Sequence, residues 1–581
     1  MLSCKKKNEE EDTFMYALIA SIPILTTVIL MVFFGWPAKR ALPLAWILAA
    51  VIAAAVWGMG VKEIAARTIG GFLGAFETIC IIFGAILLMN VLKMSGAMVT
   101  INHIFSRVTR DARIQAVIVG YLFGGFIEGV AGFGTPAALG APILISLGFP
   151  PLAAASVCLI YNSTPVCPGP VGVPTLTGAN MVAEAVKGLG GDPDKFTRLL
   201  TIFTCIPHMI GGIAVIIMGV AVLCKVFGRN KSFKDVIPVI PFCLFIGGVL
   251  GTVYILMAII AGPELVSMTA FLTALVVAVI SARKGFLVPK EKWTFEGVEE
   301  WGEDEWQSAQ HIRDARDTHL RIRYSLLPYL IICVVLFLTR VDAFGIKAIL
   351  NSEPFILHID NILGFEEIDW AFKFLYNPGI LPFMVTAIFT LFAHKVSAKN
   401  ARIAVKDSLK MISGAAFALL FGVAMVNIYR FTSSEAIGQA IDSAAGTYSN
   451  MNSSMIYAMA HAIGGVFSKA YILVAPYIGV LGAFMSGSCT VSNTLFASLQ
   501  FEVATVLGLN QVLIVALQNM GGAIGNMICI NNIVAVGATT GTNGNEGLLI
   551  RTNIIPCLLY ALIVAGVVGI MMAAGVNPSF M

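Results

Sequence analysis

The stretch that decides the fold runs from Gly120 to Pro142 and reads GYLFGGFIEGVAGFGTPAALGAP. It is apolar enough to lie in a bilayer, yet glycine interrupts it at seven positions and Glu128 places a carboxyl group within it. Glycine weakens a helix and frees backbone groups that lipid cannot satisfy, so irregular backbone at this depth must be buried in protein or line a cavity. An ionisable group there is a functional candidate. The stretch therefore predicts a broken or re-entrant segment at a transport site.

The composition of the whole chain agrees with a membrane protein. Of its 581 residues, 58% are hydrophobic and 12% are charged, against about 25% charged in a typical soluble domain. Apolar runs that reach the about 20 residues of a membrane span recur along the chain, for example residues 72–91, 202–226, 236–261 and 554–574. We predict an all-α polytopic membrane protein with about 12–14 crossings.

Polar segments divide the chain into four parts. Residues 1–13 form a polar tail, and residues 283–324 form a charged linker. The linker separates a first membrane repeat, residues 14–282, from a second, residues 325–581. The net charge of +4 is too small to indicate a nucleic-acid partner, and the 11 cysteines lack metal-ligand spacing. We expect neither a cofactor nor a metal site.

The two halves share three landmarks in the same order. GGFIEGVAGFGT at 124–135 corresponds to GAFMSGSCTVSN at 482–493, LGF at 147–149 to LGL at 507–509, and YNSTP at 161–165 to QNMGG at 518–522. Chance similarity between glycine-rich helices is the alternative, but the shared order favours a duplication. Interrupted hydrophobic segments at matching positions of two halves predict the binding site of a secondary transporter.

The interrupted segments supply the candidate substrate-binding residues. Prolines after Asn162 end a helix, and a helix terminus with free N–H groups suits a carboxylate. A surface loop is the other interpretation of this segment, and close helix packing is the other interpretation of the glycines. The candidates are Gly129, Gly132, Phe133, Gly134 and Thr135 at the first hairpin tip, Asn162 and Thr164 at the first break, Ser486, Gly487, Ser488, Thr490, Ser492 and Asn493 at the second tip, and Asn519, Gly521 and Gly522 beyond it.

Two charged residues within apolar runs are further candidates. Glu128 is the candidate carrier of a coupling ion, because ionisable groups at membrane depth are usually functional; a hydrogen bond to nearby glycine amides is the structural alternative. Arg430 ends an apolar run, where its side chain either extends to the interface or binds a substrate carboxylate with its planar fork. His208 is isolated, and we interpret it as interfacial or structural.

The motifs FGGFIEGVAGFGTPAA at 123–138, LGAFMSGSCTVSNTLFASLQ at 481–500 and Asn519-Met520-Gly521-Gly522 resemble those of the bacterial lactate permease family. The resemblance implies uptake of lactate, and often glycolate, with protons across the bacterial inner membrane. It also implies two inverted repeats with re-entrant hairpins and elevator-like movement. This chain departs from the family pattern at Cys489, where members usually have Asp, and at Asn526, where they usually have Lys.

Our interpretation is a secondary carrier for a small 2-hydroxycarboxylate, coupled to protons. The alternative is the same fold carrying a sulfonate or dicarboxylate with sodium, since Ser492-Asn493-Thr494 resembles an ion-binding motif of sodium-coupled dicarboxylate carriers. A membrane enzyme is a second class of function, but it would need a nucleophile–base pair, a metal cluster or a phosphate loop, none of which the sequence indicates. A channel is a third class of function. The expected partners are an organic anion, a proton or sodium, and the bilayer; a homo-oligomer is compatible with the sequence.

Overall fold

The computed structural model describes the chain except residues 1, 33, 35, 37, 98–99, 101–107, 133–134, 296–319, 341–343, 378, 442–447 and 543–544. The first half contains α1 (Leu2–Val32), α2 (Ala38–Ala55), α3 (Val61–Met94), α4 (Ala112–Gln115), α5 (Gly124–Ala131), α6 (Thr135–Ser146), α7 (Pro151–Tyr161), α8 (Val173–Gly188), α9 (Pro193–Val222), α10 (Ile240–Ile260) and α11 (Pro263–Lys284). A π-helical segment, Ala116–Phe123, joins α4 to α5.

The second half contains α12 (Ile322–Arg340), α13 (Ile346–Leu350), α14 (Val385–Ala393), α15 (Ala398–Phe431), α16 (Glu435–Ile441), α17 (Asn450–Ser453), α18 (Met455–Phe467), α19 (Tyr471–Ser486), α20 (Cys489–Val506), α21 (Gln511–Ile524), α22 (Ile530–Thr540) and α23 (Glu546–Ala573). A small antiparallel hairpin of β1 (Ile356–Ile359) and β2 (Trp370–Lys373) lies between α13 and α14.

The helices confirm an all-α polytopic membrane protein. Within the described ranges, ten helical segments are long and apolar enough to cross a membrane, and three shorter apolar helices accompany them. Large apolar side chains such as Leu558 and Ile570 are exposed on the outer face of α23, which is the face that lipid would cover. The number of crossings, 12–14, and the inversion of the repeats stay predictions.

The helices pack into two bodies, each built from both halves of the chain. In the frame, residues 2–94 and 322–467, α3 packs along α15 and α1 packs against α2 and α18. In the hairpin domain, residues 112–284 and 471–573, α19 packs on α21 and α9 packs on α10 and α23. The two bodies meet where α20 contacts α15 and α18, and where α8 contacts α3.

The two halves of the hairpin domain repeat one order of helices and breaks. In the first half α5 ends before Gly132, whose φ of +63° and ψ of −156° only glycine adopts readily, and α6 follows. In the second half α19 ends before Gly487, with φ +73°, and α20 follows. Each hairpin is followed by a glycine turn and then by an interrupted helix, α7 or α21. This is the duplicated order that the sequence landmarks predict.

Backbone contact between α19 and α21 holds the second hairpin against its interrupted helix. A Cβ atom added to Gly521 would lie 2.0 Å from the carbonyl oxygen of Pro476, and one added to Gly479 would lie 2.5 Å from that of Gln518. Such approach distances are available only to glycine, as at many close helix crossings in membranes.

We expect Gly521→Ala to destabilise the protein, because the methyl group has no room and α19 must move away from α21. Overpacking of this kind costs about 1–3 kcal/mol, and it will lower the midpoint of thermal unfolding measured by tryptophan fluorescence in detergent. Gly566→Ala on α23 is the matched control, since no atom lies within 4 Å of the added Cβ. Equal melting temperatures for the two variants would contradict the close crossing.

Candidate functional site

The second hairpin tip meets the break of the first repeat. The thiol sulfurs of Cys167, between α7 and α8, and of Cys489, the first residue of α20, are 3.9 Å apart. With Val166 and Ala523 they form one small buried cluster. Residues separated by more than 300 positions in the sequence therefore meet at the junction of the two repeats.

The side-chain amide of Asn519 ties four helices together at this junction. Its Nδ2 donates to Oγ1 of Thr175 (2.9 Å) and of Thr204 (3.2 Å), and its Oδ1 accepts a bond from Nδ2 of Asn493 (2.7 Å). Asn493 Nδ2 also donates to the Pro174 carbonyl at 2.9 Å. Both hydrogens and the oxygen of the Asn519 amide are thus used within the protein, which indicates a structural role for this residue.

A chain of amides continues this network through the second repeat. Gln518 Nε2 donates to Ser492 Oγ at 3.0 Å, and Gln500 Nε2 donates to Gln518 Oε1 at 3.1 Å. Tyr471 OH donates to Gln500 Oε1 at 2.7 Å, and Ser492 Oγ donates to the Gly479 carbonyl at 2.9 Å. The amides of Gln500 and Gln518 are therefore packed against one another and hydrogen-bonded within the protein.

The first repeat is different at the equivalent place. Glu128 and Asn162 are each only 3% exposed, and the Asn162 amide lies beside the Glu128 carboxyl. Neither Nδ2 nor Oδ1 of Asn162, nor Oε2 of Glu128, meets a hydrogen-bond partner among the residues that the structure describes. A Cβ on Gly132 would lie 3.4 Å from Glu128 Oε1, so the glycine that follows α5 packs close to the carboxyl group.

Tyrosines hold the segment that follows Asn162. The hydroxyl of Tyr560 lies 3.1 Å from Thr164 Oγ1 and 2.6 Å from Nδ1 of His208. Tyr254 OH donates to the Thr164 carbonyl at 3.2 Å and shares a hydrogen bond of 3.0 Å with Ser267. Thr164 is therefore anchored on both its side chain and its backbone, and His208 is buried in the core in the structural role.

Other predicted site residues lie around the two tips. Ser486 Oγ donates to the Gly482 carbonyl, Ser488 Oγ caps α20 by accepting from the Val491 N–H, and the Thr490 carbonyl accepts from Thr494. Gly129 lies against Met268, Gly487 against Asn531, and Gly522 against Cys489. Thr135 begins α6, and Phe133 and Gly134 lie outside the described residues.

Asn162 and Asn519 occupy unequal positions. Asn162 follows the last residue of α7, whereas Asn519 lies inside α21, which continues to Ile524. The reason is local, because the prolines that follow Asn162 have no counterpart after Asn519, and glycine interrupts a helix less strongly than proline. The sequence did not predict that Thr175 and Thr204 bind the Asn519 amide, because isolated threonines in apolar runs carry no distinguishing signal.

Arg430 lies away from the tips, at the boundary between the two bodies. It lines a cavity of about 390 Å³ together with Glu184 on α8, Glu502 and Ser498 on α20, and Ser454. Within the described ranges no carboxylate lies at ion-pair distance from its guanidinium. Of the two alternatives for this arginine, the structure favours the one that faces a cavity.

Comparison with known proteins identifies the relatives of this chain. The family model described as L-lactate permease matches residues 16–575. The L-lactate permease of Escherichia coli is 27% identical over 575 residues, 95% of each chain, and the glycolate permease GlcA of the same organism is 27% identical over 585 residues, 95% of this chain and 94% of its own. Among solved structures, MtrF of Neisseria gonorrhoeae matches 94% of this chain and 97% of its own at 13% identity, with a TM-score of 0.47.

We expect mild oxidation with copper phenanthroline to join Cys167 to Cys489, because their sulfurs lie 3.9 Å apart and have only to approach to about 2.0 Å to form the bond. A protease site inserted in the 283–324 linker allows the test. After cleavage, the two halves of the oxidised protein should stay together on a non-reducing denaturing gel. Cys489→Ser is the control and should release them; halves that stay joined in this variant would show that another pair had reacted.

Proposed function

The chain belongs to the L-lactate permease family, and we propose that it imports a small 2-hydroxycarboxylate, lactate or glycolate, together with protons. At the level of the family it is a transporter rather than an enzyme, and its apolar helices make it a multi-pass protein of a bacterial membrane. The observation that carries the proposal is the buried Glu128 carboxyl, which lies beside the unsatisfied Asn162 amide under the first hairpin tip.

Glu128 is the residue to which we assign the coupling proton. It lies where the substrate would bind, on an element that ends in the Gly132 break, and the described residues give it no ion-pair partner. Two unit charges of the same sign at 4 Å repel by about 4 kcal/mol at an effective dielectric constant of about 20. A substrate carboxylate and an ionised Glu128 therefore exclude one another, so that binding of the anion and binding of a proton favour each other.

The packing supports alternating access by movement of the hairpin domain against the frame. Two cavities flank α8 at the boundary of the bodies. One, of about 390 Å³, contacts residues 182–188 at the end of α8. The other, of about 290 Å³, contacts residues 173–180 at its start, together with Glu77 and Lys373. Both cavities lie along the boundary at which the hairpin domain would move against the frame, as alternating access by rigid-body movement requires.

The relatives do not favour the alternative of sodium-coupled transport of a sulfonate or dicarboxylate. These relatives are named as permeases for L-lactate and for glycolate. Ser492 and Asn493 belong to the segment that resembles an ion-binding motif, but both side chains are hydrogen-bonded within the protein. Ser492 donates to the Gly479 carbonyl, and Asn493 donates to the Pro174 carbonyl and to Asn519 Oδ1.

In liposomes that contain Glu128→Gln, we expect a proton gradient to drive no accumulation of labelled L-lactate. The amide stays neutral like the protonated acid, so exchange of internal for external lactate should continue. Glu353→Gln, which changes an exposed carboxylate beside the β-hairpin, is the control and should behave as the unmodified protein. Accumulation at the normal rate by Glu128→Gln would remove Glu128 from the coupling role. Failure of the unmodified protein to take up lactate or glycolate would contradict the function itself.

Arg430 is expected to attract the anion on its path to the site. In Arg430→Gln the KM for lactate should rise by about tenfold, because one charge-assisted hydrogen bond is lost. Arg430→Lys keeps the positive charge, so its KM should rise less. Lys187→Gln removes the same charge from the same cavity, but Lys187 is exposed and already paired with Glu184 at 2.8 Å, so its effect should be small. Equal KM values for Arg430→Gln and Lys187→Gln would argue against a direct contact.

A further inference from the structure

We propose that Asn162 is the residue that selects 2-hydroxycarboxylates, with its amide nitrogen donating to the substrate carboxylate and its amide oxygen accepting from the substrate 2-hydroxyl. The assignment rests on the proposed function and adds to it the group that recognises the hydroxyl. It follows from the comparison of two asparagines that the sequence landmarks pair with one another, although the structure places them differently in their helices.

The contrast between Asn162 and Asn519 carries the argument. The Asn519 amide uses both hydrogens and its oxygen in bonds to the protein. The Asn162 amide is as deeply buried and lies beside the Glu128 carboxyl, yet among the described residues neither of its polar atoms makes a hydrogen bond of good geometry. Native proteins satisfy nearly all buried polar groups, so an amide that is left open on both atoms needs an explanation. A ligand that completes both bonds supplies it.

The surroundings hold the Asn162 amide in a fixed position. Its backbone N–H donates to the carbonyl oxygens of Cys158 and Leu159 at 3.0 and 3.2 Å. The next residue, Ser163, donates from its hydroxyl to the Ile160 carbonyl at 2.7 Å, and Thr164 is bonded to Tyr560. A side chain whose backbone is anchored on both sides loses little freedom when it binds a ligand.

The chemistry of an amide matches a 2-hydroxycarboxylate on two adjacent groups. The carboxylate accepts from Nδ2 and the hydroxyl on the next carbon donates to Oδ1, so that both orphaned atoms are satisfied together. Propionate lacks the hydroxyl and leaves Oδ1 unpaired. Pyruvate places a carbonyl oxygen, which only accepts, against the same acceptor. A site built to bond a hydroxyl rejects analogues that lack it far more strongly than an apolar pocket could.

Glu128 completes the arrangement from the same side of the substrate as Asn162. Its carboxyl lies beside Asn162 and its Oε2 is also without a partner in the described part of the chain. In its protonated form it donates to the second oxygen of the substrate carboxylate. During transport the proton stays on Glu128, in the hydrogen bond that Glu128 shares with the substrate carboxylate. It leaves to water after the substrate has left, and no covalent bond to the substrate forms or breaks.

The test compares competitors of labelled L-lactate uptake in liposomes. For the unmodified protein, we expect glycolate to compete at concentrations at least about tenfold lower than propionate or pyruvate. In Asn162→Leu, which keeps the branched shape and the number of heavy atoms of the side chain but offers no polar atom, the KM for lactate should rise at least about tenfold, and the preference of glycolate over propionate should disappear. Asn162→Ser has a smaller side chain with one polar group, and its preference for glycolate over propionate should fall less. This variant provides the test if the leucine variant does not fold.

Asn90→Ser is the control variant. Asn90 is buried like Asn162 but donates to Ser408 in the frame at 2.9 Å, so its replacement should leave the order of competitors unchanged. Asn162 variants that fold and still prefer glycolate over propionate would overturn the assignment, as would an unmodified protein that transports lactate without preferring hydroxy acids. An unmodified protein that transports neither lactate nor glycolate would instead overturn the proposed function, so the two failures are distinguishable.

Discussion

The structure depends on the requirement that backbone polar groups inside a membrane find partners within the protein. Each break in the hairpin domain frees carbonyl and N–H groups, and side chains from elsewhere in the fold reach them. Ser267 Oγ donates to the Pro165 carbonyl at 3.0 Å and accepts from the Gly169 N–H at 3.3 Å. Asn493 reaches the Pro174 carbonyl from the opposite repeat. The first break is therefore stabilised by Ser267 of its own repeat and by Asn493 of the other repeat, and the two repeats meet at this junction.

The same requirement is met unequally by the two repeats. In the second repeat a series of amides and hydroxyls runs from Tyr471 through Gln518 to Asn519, and Thr175 and Thr204 of the first repeat complete the bonds of Asn519. Networks of this kind make a core rigid when all members are paired. In the first repeat Glu128 and Asn162 keep free polar atoms. We interpret the division as one between a scaffold that positions the site and a half-site that is completed by its substrate.

Much of this arrangement was accessible from the sequence. Glycine located the ends of α5 and α19, at Gly132 and Gly487, and proline after Asn162 located the first break, because these residues act on the local backbone whatever surrounds them. The sequence did not show which of the two asparagines has all its hydrogen bonds within the protein. That outcome depends on Thr175 and Thr204, which lie on other helices and carry no local signal. The position of Arg430 between the two bodies likewise follows from tertiary packing, which local patterns do not encode.

The neutral character of the second tip bears on the charge that would cross the membrane in the proposed cycle. In the sequence of the two tips, residues 124–135 and 482–493, Glu128 is the one charged residue. With one proton for each anion, the loaded site carries protonated Glu128 and a substrate carboxylate, whereas the empty returning site carries ionised Glu128. Both forms hold one negative charge. Helix N-termini such as those of α8 and α20 each provide the equivalent of about half a positive charge and can stabilise either form. On this argument the two forms that cross the membrane are electrostatically matched, which is what one-to-one symport of a proton and a monocarboxylate requires.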